Sequence, residues 1–239
     1  MWNYRLKLVL TASIILCHAA CLSRVFHNGS APALNQRSAE TKRIEKSEAI
    51  KELAGNLERL GFFKHTDPAL LEKAKAEVYE TDSLFEGSTE RDYVIHPEDL
   101  AKGGVKAFLE EASFFLEREG VATGGVEESF EVGGEYSVAV NGRRYVMYSQ
   151  AELELKAEEV RKLTTRRAFA LVNTLLQQAG SNEKVYLLND DNEAWAVFLT
   201  PEMYEIISQS SFLKDEEKPK FLGQIRDLEL SGSCGSFDC

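Results

Sequence analysis

The chain has 239 residues, 44% of them hydrophobic, and its 39 acidic residues outnumber its 28 basic ones to give a formal net charge of -11. This length and apolar content are enough for one sizeable core. The acidic balance argues against a nucleic-acid-binding protein and against docking on anionic lipid through a basic patch, because both require local positive charge.

Residues 1–20 have the three parts of a secretory signal peptide. Arg5 and Lys7 precede a short apolar run at residues 8–16, and small residues precede Cys21. The run is much shorter than the roughly 20 apolar residues that span a bilayer as one helix. The pattern therefore favours a cleaved export signal over an uncleaved membrane anchor.

The end of this segment, Ala19-Ala20-Cys21, resembles the lipobox of bacterial lipoproteins. It departs from that motif at His18, where an apolar residue is usual. The resemblance implies lipidation at Cys21 and attachment to a membrane through that lipid. Ordinary signal cleavage near Ala19, which gives a periplasmic or secreted protein, is the alternative.

The segments that flank the central body are predicted to be flexible. Residues 21–38 are rich in small and polar residues and lack apolar periodicity, which is typical of a tether. Residues 229–239 form a tail that contains Cys234 and Cys239. In an oxidising compartment these two cysteines could close a small disulfide ring, and a pair of free thiols is the alternative.

Residues 39–125 are predicted to be mainly helical. Apolar residues at helical spacing indicate one helix near 50–60, a second after Asp67-Pro68 and a third over 105–116. The first two are expected to pack as a helical hairpin. Between the second and third, Tyr93-Val94-Ile95 indicates a brief extended segment.

Residues 126–228 are predicted to form an antiparallel ββαββ sheet with a long helix packed on one face. Asn141-Gly142 indicates a tight hairpin, a helix follows from about residue 151 to 179, and a second hairpin turns at residues 189–192. Thr200-Pro201 starts a short helix. The fold class is therefore α+β, and the helical and sheet parts could form one domain.

No motif in the chain fixes a reaction, a metal or a cofactor. His65 and His96 are candidate general bases beside Asp67 and Asp99, although both lie at helix starts where a capping or surface role is favoured. The acidic turn at 189–193 fits a hairpin loop better than a calcium site. We therefore expect no metal and no cofactor.

Two functions are compatible with these patterns. The favoured one is an exported, lipid-anchored, acidic envelope protein with a non-catalytic binding or accessory role, whose partner is a protein or another envelope component. Its candidate binding surface consists of strand aromatics, provided that they face solvent: Tyr136, Tyr145, Tyr148, Tyr186 and Trp195. Ordinary core packing is the alternative for these side chains. The second function is a small extracytoplasmic hydrolase that uses dispersed histidine and carboxylate residues.

Overall fold

The computed structural model describes residues 32–81, 84–85, 89–189 and 194–222. The chain divides into two units, Met1–Glu40 and Thr41–Cys239. The helical and sheet parts therefore belong to one compact unit. No helix within the described residues combines the length and the apolar character needed to cross a membrane.

Helices form where apolar periodicity predicts them, but the first begins well before residue 50 and the predicted helix over 105–116 forms two helices. Those before the strand-rich region are α1 (Pro32–Arg59), α2 (Leu71–Thr81), α3 (Pro97–Asp99), α4 (Val105–Glu111) and α5 (Ser113–Arg118), with a π-type turn at Leu100–Gly104 between α3 and α4. Those after it are α6 (Ala157–Gln178) and α7 (Pro201–Gln209), and short 3-10 turns lie at Ala151–Glu154 and Asp215–Glu217. Helix α1 begins at Pro32, so residues 32–38 of the predicted tether are helical.

The six described strands form two antiparallel sheets of three strands each. They are β1 (Asp92–Ile95), β2 (Val126–Phe130), β3 (Tyr136–Val140), β4 (Arg143–Tyr148), β5 (Lys184–Asn189) and β6 (Ala194–Leu199). Sheet 1 has the order β1-β6-β5, and sheet 2 has the order β2-β3-β4. The α+β class is confirmed. The two predicted hairpins do not form one sheet, because each hairpin pairs with a third strand in a sheet of its own.

The tight hairpin of sheet 2 forms where the sequence predicts it. Asn141 and Gly142 have φ angles of 54° and 78°, the two positive values that a type I′ turn requires. The sequence did not indicate β2, whose acidic residues weaken the alternation, and β2 pairs with β3 along its whole length. The predicted long helix starts at Ala157 because Leu155 is extended, with φ -67° and ψ 161°.

The two hydrophobic clusters of the fold lie on opposite faces of sheet 1. Val185, Ala196 and Phe198 pack into the larger cluster with sheet 2, α4, α5 and α6. Tyr186 and Val197, which alternate with them, pack into a second cluster with α1, α2 and α7. Sheet 1 is thus buried on both faces, which explains the nearly continuous apolar sequences of β5 and β6.

The outer edge of β5 is closed at two positions. The side-chain amide of Asn173 on α6 accepts from the Val185 N–H at 2.8 Å and donates to the Val185 carbonyl at 3.4 Å. Leu187 exchanges two backbone hydrogen bonds with Lys220. Strand addition by another chain is therefore blocked at these two residues.

Candidate functional site

Six polar side chains from distant parts of the sequence meet at one end of sheet 1. We call them the ionic cluster: Lys64 and His65 after α1, Arg91 before β1, Glu119 after α5, and Ser181 and Glu183 between α6 and β5. The rings of Phe62 and Phe115 contact Arg91, and Phe115 also contacts His65. The sequence had singled out only His65.

Arg91 lies at the centre of the ionic cluster and is fully buried. Its two terminal nitrogens donate to both carboxylate oxygens of Glu183, at 3.0 and 3.1 Å. The remaining donors bind the backbone carbonyls of Gly61, Phe62 and Phe198. All five N–H groups of the guanidinium are therefore satisfied, and the side chain ties the end of α1 to sheet 1.

Glu119 is the second centre of the cluster. Its Oε1 lies 2.7 Å from the Lys64 ammonium and 2.6 Å from His65 Nε2, while its Oε2 accepts a 2.5 Å hydrogen bond from the Ser181 hydroxyl. Lys64 also lies 2.9 Å from Glu183 and so joins the two carboxylates. The two carboxylates of the cluster are thus balanced by two cations, Lys64 and Arg91.

This geometry shifts three pKa values. Burial would raise the pKa of Glu119, but hydrogen bonds from Lys64, Ser181 and His65 outweigh burial and lower it to about 2. Burial lowers the pKa of His65, and the Glu119 carboxylate opposes this only in part. Burial also disfavours the charged form of Lys64, yet its two glutamate partners raise the pKa of Lys64 overall.

The arrangement does not resemble a nucleophile activated by a base. An activated serine needs its hydroxyl hydrogen-bonded to the base, whereas Ser181 and His65 both contact Glu119. Glu119, and not Asp67, is the carboxylate partner of His65, because Asp67 accepts from the Ala69 N–H instead. The contacts of the cluster are those of a structural ion-pair network.

His96 lies outside the ionic cluster. It is exposed and precedes α3, where its backbone carbonyl accepts from the N–H groups of Asp99 and Leu100. Its side chain makes no capping hydrogen bond. Its position at a helix start agrees with the sequence interpretation.

Replacing Glu119 by glutamine is expected to flatten the acid limb of the stability profile. The folded-state pKa of about 2 lies below the ordinary value of 4.5, so the carboxylate stabilises the fold above pH 4.5 and loses this effect as the pH falls towards 2. Urea unfolding between pH 2 and pH 6 measures the slope. Glu117→Gln, at an exposed position on α5, is the control and should keep the wild-type slope. If Glu119→Gln kept the wild-type slope, the lowered pKa of Glu119 would be contradicted.

A second feature is an open cleft of about 330 Å³ at the start of α6. Its lining includes Ala101 and Lys102 of the π-type turn and Leu153 and Leu155 from the segment before α6. Leu153 and Leu155 are each 44% exposed, which is unusual for two neighbouring leucines on one concavity. The volume is at the low end of small-molecule sites.

Tyr148, at the end of β4, supplies a polar group to this cleft. The residue is 7% exposed, and none of the hydrogen bonds among the described residues involves its hydroxyl. The hydroxyl is also not among the enclosed polar atoms that lack a partner. The hydroxyl is therefore accessible to solvent. Burial raises the pKa of Tyr148, so the phenol is neutral and can donate at neutral pH.

The rim of the cleft carries two cations and one anion. Glu98 lies between Lys102, at 3.7 Å, and Arg161, at 3.4 Å. Both distances are long for ion pairs, and a single carboxylate serves both cations. The rim therefore has a net positive charge on a protein whose overall charge is negative.

Exposed apolar residues continue from the cleft onto the β2–β3 turn. A Cβ atom at Gly134 would come within 2.6 Å of Leu153 Cδ1, so the turn lies directly against that leucine. In this turn Val132 is fully exposed, and the half-exposed Phe130 covers Gly103 of the π-type turn. The cleft is thus one part of a wider apolar surface.

The structure corrects the predicted aromatic surface. Tyr136, Tyr145 and Tyr186 are buried, and Trp195 is half-buried against the second hydrophobic cluster. The Tyr136 hydroxyl donates to Glu128 and accepts from the Val105 N–H, while the Tyr186 ring stacks on Tyr204 at 4.4 Å. They pack as core residues because sheet 1 is covered on both faces and β3 and β4 face α6. Tyr148 alone of the five lines the cleft.

Other predicted sites lie outside the described residues. These are the lipidation site Cys21, the signal 1–20, the cysteines Cys234 and Cys239 with the tail 229–239, and residues 190–193 of the acidic turn. Within the described ranges, no three His, Cys, Asp or Glu side chains form a group that could hold a metal ion.

Three of the four basic residues of α6 are ion-paired. Arg161 contacts Glu98, Lys162 contacts Glu158 at 2.5 Å, and Arg167 forms a two-point contact with Glu152. Glu152 also accepts from the Ser149 N–H and so holds the 3-10 turn that carries Leu153.

Comparisons with family models, with curated proteins and with solved structures found no match to this chain. The site must therefore be interpreted from its own geometry. Sequence reasoning missed the cleft residues Lys102, Leu153 and Leu155 and the cluster residues Arg91 and Glu183. The only available signal for the cleft was Leu153 and Leu155 within the polar segment 149–159.

Proposed function

We propose that this protein is an exported, lipid-anchored, acidic envelope protein whose folded body binds another envelope component without catalysing a reaction. The observation that carries the binding role is the cleft with its two exposed leucines. Exposing two leucines to water is unfavourable unless a ligand or partner covers them. The lipid anchor rests on the residues before Cys21.

The proposal fits the difference between the buried and the exposed charged residues. Charged groups that are buried in the ionic cluster satisfy one another, as Arg91 and Glu183 do. Groups on the cleft rim, such as Lys102 and Arg161, have only long contacts and are accessible to a ligand. Charged side chains with only long contacts suit a binding surface, because a ligand can contact them without displacing a close partner.

A hydrolase remains the second candidate, and one contact favours it. His65 Nε2 lies 2.6 Å from a carboxylate oxygen of Glu119, as in a base held by an acid. Against this, Lys64 and Ser181 use the same carboxylate, and burial lowers the pKa of His65. We therefore rank the hydrolase below the binding protein.

The intact mass of the protein recovered from membranes of the source organism tests the proposal, with Cys21→Ala and Cys17→Ala prepared in parallel. We expect the mass of a chain that begins at Cys21 and carries two or three acyl groups. Cys21→Ala should lose this modification, and Cys17→Ala should keep it. An unmodified chain in the soluble fraction would overturn the anchor.

The same membranes test the binding role. A photoreactive phenylalanine analogue placed at Leu155 should give one discrete crosslinked product upon irradiation. The same analogue at Arg166, an exposed position farther along α6, is the matched control and should give none. Equal products from both positions, or none from position 155, would contradict binding at the cleft.

A further inference from the structure

We infer that the cleft binds a small apolar monocarboxylate, with its apolar chain against the leucines and its carboxylate at the cationic rim. This inference rests on the proposed binding role of the cleft and names the chemical class of its ligand.

The apolar half of the ligand follows from the cleft walls. Leu153 and Leu155 form one side, and Ala101, Ala157 and Val160 complete the apolar lining. Covering the exposed surface of the two leucines removes apolar area from water, which is the main favourable contribution to binding. The volume of about 330 Å³ suits a chain of modest length and is too small for a folded domain.

The carboxylate follows from the charges at the rim. Lys102 and Arg161 supply two cations, and Glu98, the one rim carboxylate, lies 3.4 Å or more from each. Lys102 is 73% exposed at its side chain and free to turn towards an incoming anion. A cationic ligand would meet two like charges and one opposite charge. The balance therefore selects an anion over a cation.

Tyr148 supplies a second, independent argument. Tyr148 is 7% exposed and lines the cleft, and none of the hydrogen bonds among the described residues involves its hydroxyl. Because this hydroxyl is not enclosed by protein, a ligand oxygen in the cleft can replace the water that it contacts. A carboxylate oxygen accepts well from a neutral phenol, so the hydroxyl and the two cations favour the same ligand group.

The inferred site also explains the shape of the segment before α6. The Glu152 carboxylate binds Arg167 and the Ser149 N–H, which fixes the 3-10 turn and directs Leu153 to the surface. A part-buried, two-point Glu–Arg contact of this kind holds a segment in one conformation. The apolar wall is therefore preformed, which lowers the entropic cost of binding.

Decanoate is the probe, titrated below its micelle concentration into the full-length chain carrying Cys21→Ala, so that neither an acyl group nor detergent competes for the cleft. Isothermal calorimetry gives the affinity, and amide chemical-shift changes locate the site. We expect saturable binding, with shifts at residues 98–102 and 148–161. Decanol should bind more weakly and decylamine more weakly still, because each lacks the carboxylate.

Three variants test the assigned contacts. Tyr148→Phe removes only the hydroxyl and should weaken decanoate binding about threefold. Arg161→Gln should weaken it about three- to fivefold and leave decanol binding unchanged. Arg166→Gln, one exposed arginine farther along α6, is the matched control and should leave the affinity unchanged. Thermal melts confirm that each variant is folded.

Several results would overturn the inference. They are no saturable binding of decanoate, equal affinity for decanol and decylamine, shifts elsewhere on the protein, or tighter binding of a leucine-terminated tripeptide such as Ala-Leu-Leu. The last result would identify a peptide end as the ligand. Each of these leaves the anchor at Cys21 and the crosslink at position 155 standing, so failure of this inference is distinct from failure of the proposed function.

Discussion

Replacing Arg91 by methionine is expected to lower the free energy of unfolding by about 3–5 kcal/mol, because it breaks a buried ion pair on one side only. Methionine keeps the volume and the apolar stem but supplies no donor. The Glu183 carboxylate is fully buried and would keep only Lys64, which it shares with Glu119. The backbone carbonyls that Arg91 now satisfies would lose their donors as well.

Chemical denaturation followed by far-ultraviolet circular dichroism measures this loss. Arg144→Met is the matched control, because Arg144 also contacts two carboxylates, those of Glu131 and Glu135, but at the exposed surface of sheet 2. Exposed ion pairs contribute about 0–1 kcal/mol, so the control should remain close to the wild type. If the two variants lost equal stability, the buried guanidinium would not be the centre of the network.

The double variant Arg91→Met/Glu183→Leu separates two causes of the loss. Removing both charges abolishes the unpaired carboxylate, so the double variant should lose less than the sum of the two single variants. It should not recover the wild-type stability, because the carbonyls of Gly61, Phe62 and Phe198 remain without donors. Full recovery would mean that these three hydrogen bonds contribute little.

Phe115→Ala is expected to cost about 3–5 kcal/mol, the usual loss when a fully buried phenylalanine is truncated. Phe115 is 0% exposed, and its ring centroid lies 4.3 Å from that of Phe198 and 5.0 Å from that of His65. The Arg91 guanidinium lies 5.5 Å from the same ring. The truncation therefore opens a cavity where the larger hydrophobic cluster meets the ionic cluster.

The neighbouring Phe114 provides the control for this prediction. It has the same side chain on the same helix but is 40% exposed, and its main contact is the Arg118 guanidinium at 4.0 Å. Phe114→Ala should cost about 0.5–1 kcal/mol, the contribution of an exposed cation–π contact. Comparable losses for the two variants would show that Phe115 is not a core residue. Urea unfolding of both variants decides this.

The sequence by itself determined those helices and turns that depend on residues only a few positions apart. Asn141-Gly142 specified a hairpin because both residues tolerate positive φ, and Thr200-Pro201 specified the start of α7, where the Thr200 hydroxyl accepts from the Met203 N–H. Apolar periodicity located α4, α5 and α6. The α+β class follows from such local signals, since each depends on residues within a few positions.

The tertiary structure alone decided which elements pair and which polar residues meet. β1 pairs with β6 across about a hundred positions, and Arg91 binds Glu183, which lies 92 residues away. No local propensity encodes such a contact, because it depends on the burial of sheet 1 on both faces. The same burial made Tyr186 a core residue and Trp195 a partly buried one, and the packing of sheet 2 into the larger hydrophobic cluster buried Tyr136 and Tyr145. Only the approach of the π-type turn to α6 brought Tyr148, Lys102 and Leu155 together into one cleft.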